Sequence, residues 1–222
     1  MKLELACFNK ESARIGARAG VNRIELCNNY LKGGLTPKNE DFLELRKEIE
    51  LELFLMIRPR EGNFDYSDEE FKTMKNQINQ FKSLGANGFV FGVLSQSKRI
   101  DKKRNIELIE LAYPFPCTFH RAFDEVIDME QALEDVISCG FSTLLTSGLK
   151  TTAFEGKENL RLLVNRAKDR IVIMPGGGLR SNNIMKLIND LHFNWVHSSA
   201  IIGKGKVADE NEVGLLKELN YW

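Results

Sequence analysis

The chain has 222 residues, enough for one domain with a substantial buried core, and its 31 Lys plus Arg balance 31 Asp plus Glu. That neutrality excludes the bulk electrostatics of nucleic-acid binding and of attachment to an anionic membrane. No apolar run approaches the roughly 18 residues of a membrane span, and the four cysteines have no CxxC spacing, so they read as reduced thiols of a cytoplasmic protein.

The first predicted strand, Leu3–Cys7, starts too close to the N-terminus for a secretion signal and leads into a helical pattern over Ser12–Ala19 that stops at Gly20. The second, Arg23–Cys27, places Arg23, Glu25 and Cys27 on one face, because side chains alternate along a strand. After a helix over Asn39–Lys47, a third strand at Glu52–Ile57 runs into Arg58-Pro59-Arg60, with Phe54, Met56 and Arg58 sharing a face. Glu25 and Arg58 are therefore candidates to meet inside, as a functional or a purely structural pair. A capping box, Ser67-Asp68-Glu69-Glu70, opens the helix predicted over Ser67–Leu84, and Gly85 ends it before the strand Gly88–Phe91.

A helix over Lys102–Leu111 precedes the fifth strand, Cys117–His120, which runs directly into Arg121-Ala122-Phe123-Asp124. A histidine, an arginine and an aspartate so close to an apolar run suit a site: His120 as general acid or base, Asp124 or Glu25 setting its tautomer, Arg121 or Arg58 holding an anion. The competing reading is a structural ion-pair network. Helices over Met129–Cys139 and Glu155–Ala167 flank a sixth strand, Thr143–Thr146. The seventh, Ile171–Met174, ends in Pro175-Gly176-Gly177-Gly178 and a helix over Ser181–Asn189; the eighth, Trp195–His197, ends in Ser198-Ser199 before a last helix over Asn211–Leu219.

Eight strand-helix alternations in this length predict a TIM-like (β/α)8 barrel as one domain over residues 1–222, with a doubly wound sheet as the alternative. Polar residues follow strands 2, 3, 5, 7 and 8, all round a ring, which favours the barrel. Free amides at Gly176, Gly177, Gly178, the following helix start and Ser199 predict an anion site where barrels commonly bind phosphate; the plainer reading is a tight turn needing positive φ. Cys7 and Cys27 end neighbouring strands and could share a soft ion such as Cu(I), yet parity turns Cys7 toward the helices if Glu4 faces inward, and buried free cysteines are ordinary core residues. No zinc motif, no strand lysine suited to a Schiff base and no P-loop is present.

Ten blocks stand in order along the chain, among them Leu3-Glu4-Leu5-Ala6-Cys7, Asn22-Arg23-Ile24-Glu25-Leu26-Cys27, Met56-Ile57-Arg58-Pro59-Arg60, Thr118-Phe119-His120-Arg121-Ala122-Phe123-Asp124, Ile173-Met174-Pro175-Gly176-Gly177-Gly178 and His197-Ser198-Ser199-Ala200. On these blocks the chain resembles the CutC family, the copper homeostasis proteins. The resemblance implies a cytoplasmic TIM-like barrel, a homo-oligomer, and a link to copper, with Cys7 and Cys27 matching the cysteines proposed to take Cu(I). Beside it stands the reading from the residues: an enzyme on a small phosphorylated or carboxylated substrate, using His120, Glu25 and Asp124 for proton transfer and Arg58, Arg121, Gly176–Gly178 and Ser199 for the anion. The ligand is then a copper ion or a small anion.

Overall fold

The computed structural model describes residues 1–189 and 191–219, so the expected span of 1–222 runs past the last described residue. Eight strands, β1 (Lys2–Cys7), β2 (Arg23–Leu26), β3 (Glu52–Met56), β4 (Gly88–Phe91), β5 (Cys117–Phe119), β6 (Thr143–Thr146), β7 (Val172–Pro175) and β8 (Trp195–Ser198), alternate with α1 (Lys10–Arg18), α2 (Asn39–Glu48), α3 (Asp68–Ser83), α4 (Lys102–Ala112), α5 (Met129–Cys139), α6 (Lys157–Ala167), α7 (Ser181–Ile188) and α8 (Glu210–Glu218). The strands are all parallel, in the order β7-β6-β5-β4-β3-β2-β1-β8, and β7 lies in contact with β8. That order is a ring, and it overturns the doubly wound alternative, in which strand order reverses at a switch point.

Two apolar layers follow from strand alternation. Leu3, Leu5 and Cys7 of β1, with Ile24, Leu53, Leu55 and Phe89, face the helices in the large outer core. Cys27, Phe54, Met56 and Val90 form a smaller cluster inside the barrel. Register stacks the interior: Glu4 is level with Arg23 on β2 and with His197 on β8, while Glu25, two residues further up β2, is level with Ala6 and Phe54. Glu4, Arg23, Glu25 and His197, all buried, are thereby gathered on the side of the barrel formed by β8, β1 and β2.

Local signals account for the helix boundaries. The Ser67 hydroxyl accepts from the Glu70 amide while the Glu70 carboxylate accepts from the Ser67 amide, so the expected capping box is present. Asn9 accepts from the Ser12 amide, which starts α1 two residues earlier than periodicity suggests. Helix α6 starts two residues late, because the loop before it packs the Gly156 backbone onto Ser147. Strand β1 takes in Lys2, so one lysine does lie in a strand; it sits at the end remote from the mouth, over the Trp195 ring at 5.3 Å.

Barrel closure depends on a small residue opposite a large one. Gly88 pairs with Phe54, and a Cβ there would lie 2.5 Å from the Phe54 ring. Gly88→Ala should therefore destabilise the fold by about 1–3 kcal/mol through overpacking, read as a lower urea midpoint with an unchanged m-value.

Candidate functional site

At the C-terminal ends of the strands lies a cavity of about 330 Å³, walled by Glu25, Cys27, Arg58, His120, Arg121, Gly177, Gly178, Arg180, His197 and Ser199 among others. It is floored by a polar chain. Glu4, fully buried, accepts from Arg23 Nε at 2.5 Å and meets His197 Nδ1 at 2.8 Å. His197 Nε2 stands 3.7 Å from Glu25 Oε2, which also accepts from the Cys27 thiol at 3.4 Å. Arg23 is sandwiched between the rings of Phe54 and Trp195, 4.0 and 4.2 Å from their centroids.

The charges follow from these contacts. Burial pushes the Glu4 carboxyl up, but Arg23 and His197 outweigh it and hold Glu4 below its ordinary value. Burial also dominates at Glu25, where His197 only partly opposes it, so this carboxyl is raised. For His197 burial works against the cation, but the carboxylates of Glu25 and Glu4 prevail and its pKa is raised. Glu25 and His197 therefore stand as a neighbouring acid–base pair, each with a raised pKa, beside a Glu4 held in its ionised form.

His120 differs from the sequence expectation. Its Nδ1 accepts from the Ala122 amide at 3.3 Å, so neither Asp124 nor Glu25 sets the tautomer. Burial and the nearby Arg58 cation lower its pKa to about 3, which makes it a neutral Nε2–H donor rather than an acid or base near pH 7. Asp124 is not on the cavity wall; its oxygens accept from Thr146 Oγ1, Ser147 N and Oγ, Leu149 N and Arg121 Nε, which organises the loop after β6. The Glu25–Arg58 pair does not form either. Arg58 is held by the carbonyls of Lys32, Gly33, Gly34 and Gly62.

The anion candidates divide in the same way. Among the described residues the amides of Gly177, Gly178 and Ser199 donate to no protein acceptor, and all three residues line the cavity. Gly177 has φ +103°, and its missing side chain lets the Arg121 guanidinium approach to 3.1 Å from where a Cβ would be. The Gly176 amide is spent on Thr146 O, and Gly176 leaves room for Leu145 and His197. The start of α7, expected to be free, is filled: the Ser181 amide and hydroxyl both donate to Glu212, each at 2.7 Å. Two participants stand in motifs that the sequence reading singled out without giving these residues a role. His197 lies in β8 on the same inward alternation as Trp195, and Arg180 comes two residues after the glycine run; its guanidinium donates to Leu179 O, Ile201 O, Ser198 Oγ and Ser199 Oγ.

The cysteines lie in different layers, Cys27 facing the cavity beside Met56 and Cys7 facing the helices with its thiol on Leu5 O. Burial first, then the carboxylate of Glu25, raises both thiols well above their ordinary pKa. In this arrangement the pair does not present two thiolates to one ion, and no cluster of three or more metal-ligating side chains occurs among the described residues.

The CutC family model matches residues 1–202. A mouse protein named copper homeostasis protein cutC homolog is 41% identical over 198 residues, covering 89% of this chain and 73% of that one. The human protein of that name is 40% identical, over 89% and 72%. The copper homeostasis protein CutC of Streptococcus agalactiae superposes with a TM-score of 0.85 at 28% identity, over 90% of this chain and 98% of that one. Phosphoribosyl anthranilate isomerase of Thermotoga maritima, at 16% identity and TM-score 0.64 over 100% of both chains, shares the fold alone.

A neutral buried His120 has a measurable consequence. Its folded pKa lies below the ordinary 6.5, so on acidification the unfolded chain binds the proton first, and stability is lost as pH falls from about 6.5 toward 3. His120→Asn keeps an acceptor for the Ala122 amide and removes the titration. Between pH 7 and pH 5 the wild type should lose about 2 kcal/mol more than the variant in urea denaturation, and parallel losses would refute the assignment.

Proposed function

The chain belongs to the CutC family, and we propose that its barrel mouth binds a small phosphorylated or carboxylated molecule and moves a proton on it. One observation carries this reading: Glu25 Oε1, Arg58 Nε and His120 Nε2, buried polar atoms of three residues that line one cavity, have no partner among the described residues. Buried polar groups are normally satisfied, and an unsatisfied set converging on a cavity marks ligand contacts.

The roles follow from chemistry already described. Glu25 is the base: burial raises its carboxyl, its Oε1 has no partner among the described residues, and His197 beside it stabilises the charge left when it gives up a proton. His197 is a positioning residue held by Glu4. His120 donates its Nε2–H to an oxygen of the ligand, most effectively when that oxygen gains negative charge, since a neutral imidazole keeps its proton. The amides of Gly177, Gly178 and Ser199 hold the anion, with Arg180, which has no carboxylate partner among the described residues, supplying positive charge.

Glycerol 3-phosphate at about one hundred times its dissociation constant should stabilise the chain by roughly 2.7 kcal/mol, seen as a rise in Tm. Gly177→Val, which sets a β-branched residue at φ +103° against Arg121, should abolish the rise, and Glu25→Gln should retain it. An absence of any shift with glycerol 3-phosphate, sulfate and inorganic phosphate alike would overturn the reading.

A second reading is supported by the copper homeostasis names of the relatives and by the soft sulfur atoms of Cys27 and Met56 clustered at the cavity wall. Here Cu(I) is cargo, received at Cys27. Cys27→Ser should then weaken Cu(I) binding at least about tenfold in competition with a chromophoric chelator, while Cys7→Ser changes it less than about threefold. Equal loss in the two variants would return Cys7 to the site.

A further inference from the structure

The placement of unpaired cations in the mouth carries the anion-binding reading further, to the class of ligand, and rests on that reading. Among the described residues neither Arg58 nor Arg180 forms an ion pair with a carboxylate, whereas Arg23 and Arg121 do. Arg58 is only 8% exposed, and a guanidinium so buried without a counter-ion is costly unless a ligand completes it.

Nη1 donates to three carbonyls, those of Lys32, Gly33 and Gly34, and Nη2 to that of Gly62 at 2.9 Å; Nε is buried with no partner among the described residues, beside the equally unpartnered phenol of Tyr66. Nε–H and the second Nη2 hydrogen make the planar fork that donates two parallel bonds to a carboxylate. The same side of the cavity holds an oxygen-seeking donor. Arg58 lies 4.7 Å from the Phe64 centroid, and the Phe64 and His120 rings are 4.9 Å apart, so the guanidinium and the imidazole, whose Nε2 has no partner among the described residues, pack on one aromatic ring. Two such donors match neighbouring groups of one molecule, a carboxylate and the oxygen on the next carbon.

The second anion subsite is across the mouth. Strand β3, which leads to Arg58, and β7, which leads to Gly177 and Gly178, stand four places apart in the eight-stranded ring, the widest separation it allows. The Gly177, Gly178 and Ser199 amides, with Arg180 bonded to Ser199 Oγ, offer a rounded set of donors suited to phosphate rather than a flat fork. Both subsites open into the same cavity of about 330 Å³, of a size for a small metabolite.

We propose that the ligand is a phosphorylated 2-hydroxy- or 2-oxo-carboxylic acid, its carboxylate on the Arg58 fork, its 2-oxygen on His120 Nε2 and its phosphate in the Gly177–Gly178–Ser199 cup. A ligand of this class places the carbon next to its oxygenated C2 between His120 and Glu25, the two groups able to act on it. Ligands with one charged end satisfy only one wall.

Calorimetry on the intact chain with two matched pairs tests this: 3-phosphoglycerate against glycerol 3-phosphate, and 6-phosphogluconate against glucitol 6-phosphate. At least one carboxylate-bearing probe should bind roughly 10- to 100-fold tighter than its partner, the worth of a charge-assisted fork. Arg58→Lys keeps a cation for the four carbonyls but removes the fork. It should erase that advantage while changing glycerol 3-phosphate affinity by less than about threefold. If neither acid outbinds its partner, the two-ended ligand is wrong and the anion site stands. Equal weakening of both members of a pair in a folded Arg58→Lys protein also overturns it. Failure of all four phosphorylated probes to bind removes the anion-binding reading itself.

Discussion

A single ionised carboxylate, Glu4, governs the polar interior of this barrel. It has no exposure to solvent, and it satisfies two bases at once, Arg23 on β2 and His197 on β8, because parallel register puts all three at one level. Removing one partner from such a buried set costs about 3–5 kcal/mol, so the three strands are held to one another by charge as well as by backbone ladders. The arrangement propagates upward. With Nδ1 tied to Glu4, the His197 ring must direct Nε2 at Glu25, and Glu25 in turn accepts the Cys27 thiol. The mouth is therefore built on a polar floor anchored by Glu4, rather than on an apolar plug.

That floor also explains which cations are spoken for. Arg23 is neutralised by Glu4, and Arg121 by Asp124, whose other bonds fix the loop after β6. Both are structural in the sense that their charges are already answered within the chain. Arg58 and Arg180 are held instead by carbonyl and hydroxyl oxygens, which fix a guanidinium in space without cancelling its charge. Oriented and uncompensated charge is what preorganised binding sites require.

Much of this was legible in the sequence because strand alternation depends on the backbone alone. Parity placed Arg23, Glu25, Cys27, Phe54, Met56 and Arg58 inward and turned Cys7 outward, as the two apolar layers bear out. What parity lacks is register. Glu25 is level with Phe54, four residues before Arg58, so the carboxylate finds its partner across the seam on β8 and the guanidinium finds carbonyls instead. The neutrality of His120 was equally hidden, since it depends on Phe64 and Arg58 closing over the imidazole from the far side of β4. Asp124 looked catalytic because it follows His120 closely, yet its partners come from the next βα unit. His197 and Arg180 carried a usable signal: each is a polar residue at or just after a strand end that also bears the glycine and serine turns.

The carboxylate of Glu212 carries a consequence for how anion binding is measured. It reaches from α8 to occupy the amide and hydroxyl that open α7, although α8 lies beyond the span matched by the family model. Glu212 is in effect a tethered competitor present at high local concentration, keeping free anions off that helix end and confining them to the loop amides above it. A shortened chain ending before α8 would lose this competitor and acquire a helix-terminal anion site that the chain with α8 does not display. Affinities taken from such a fragment would report the missing tether.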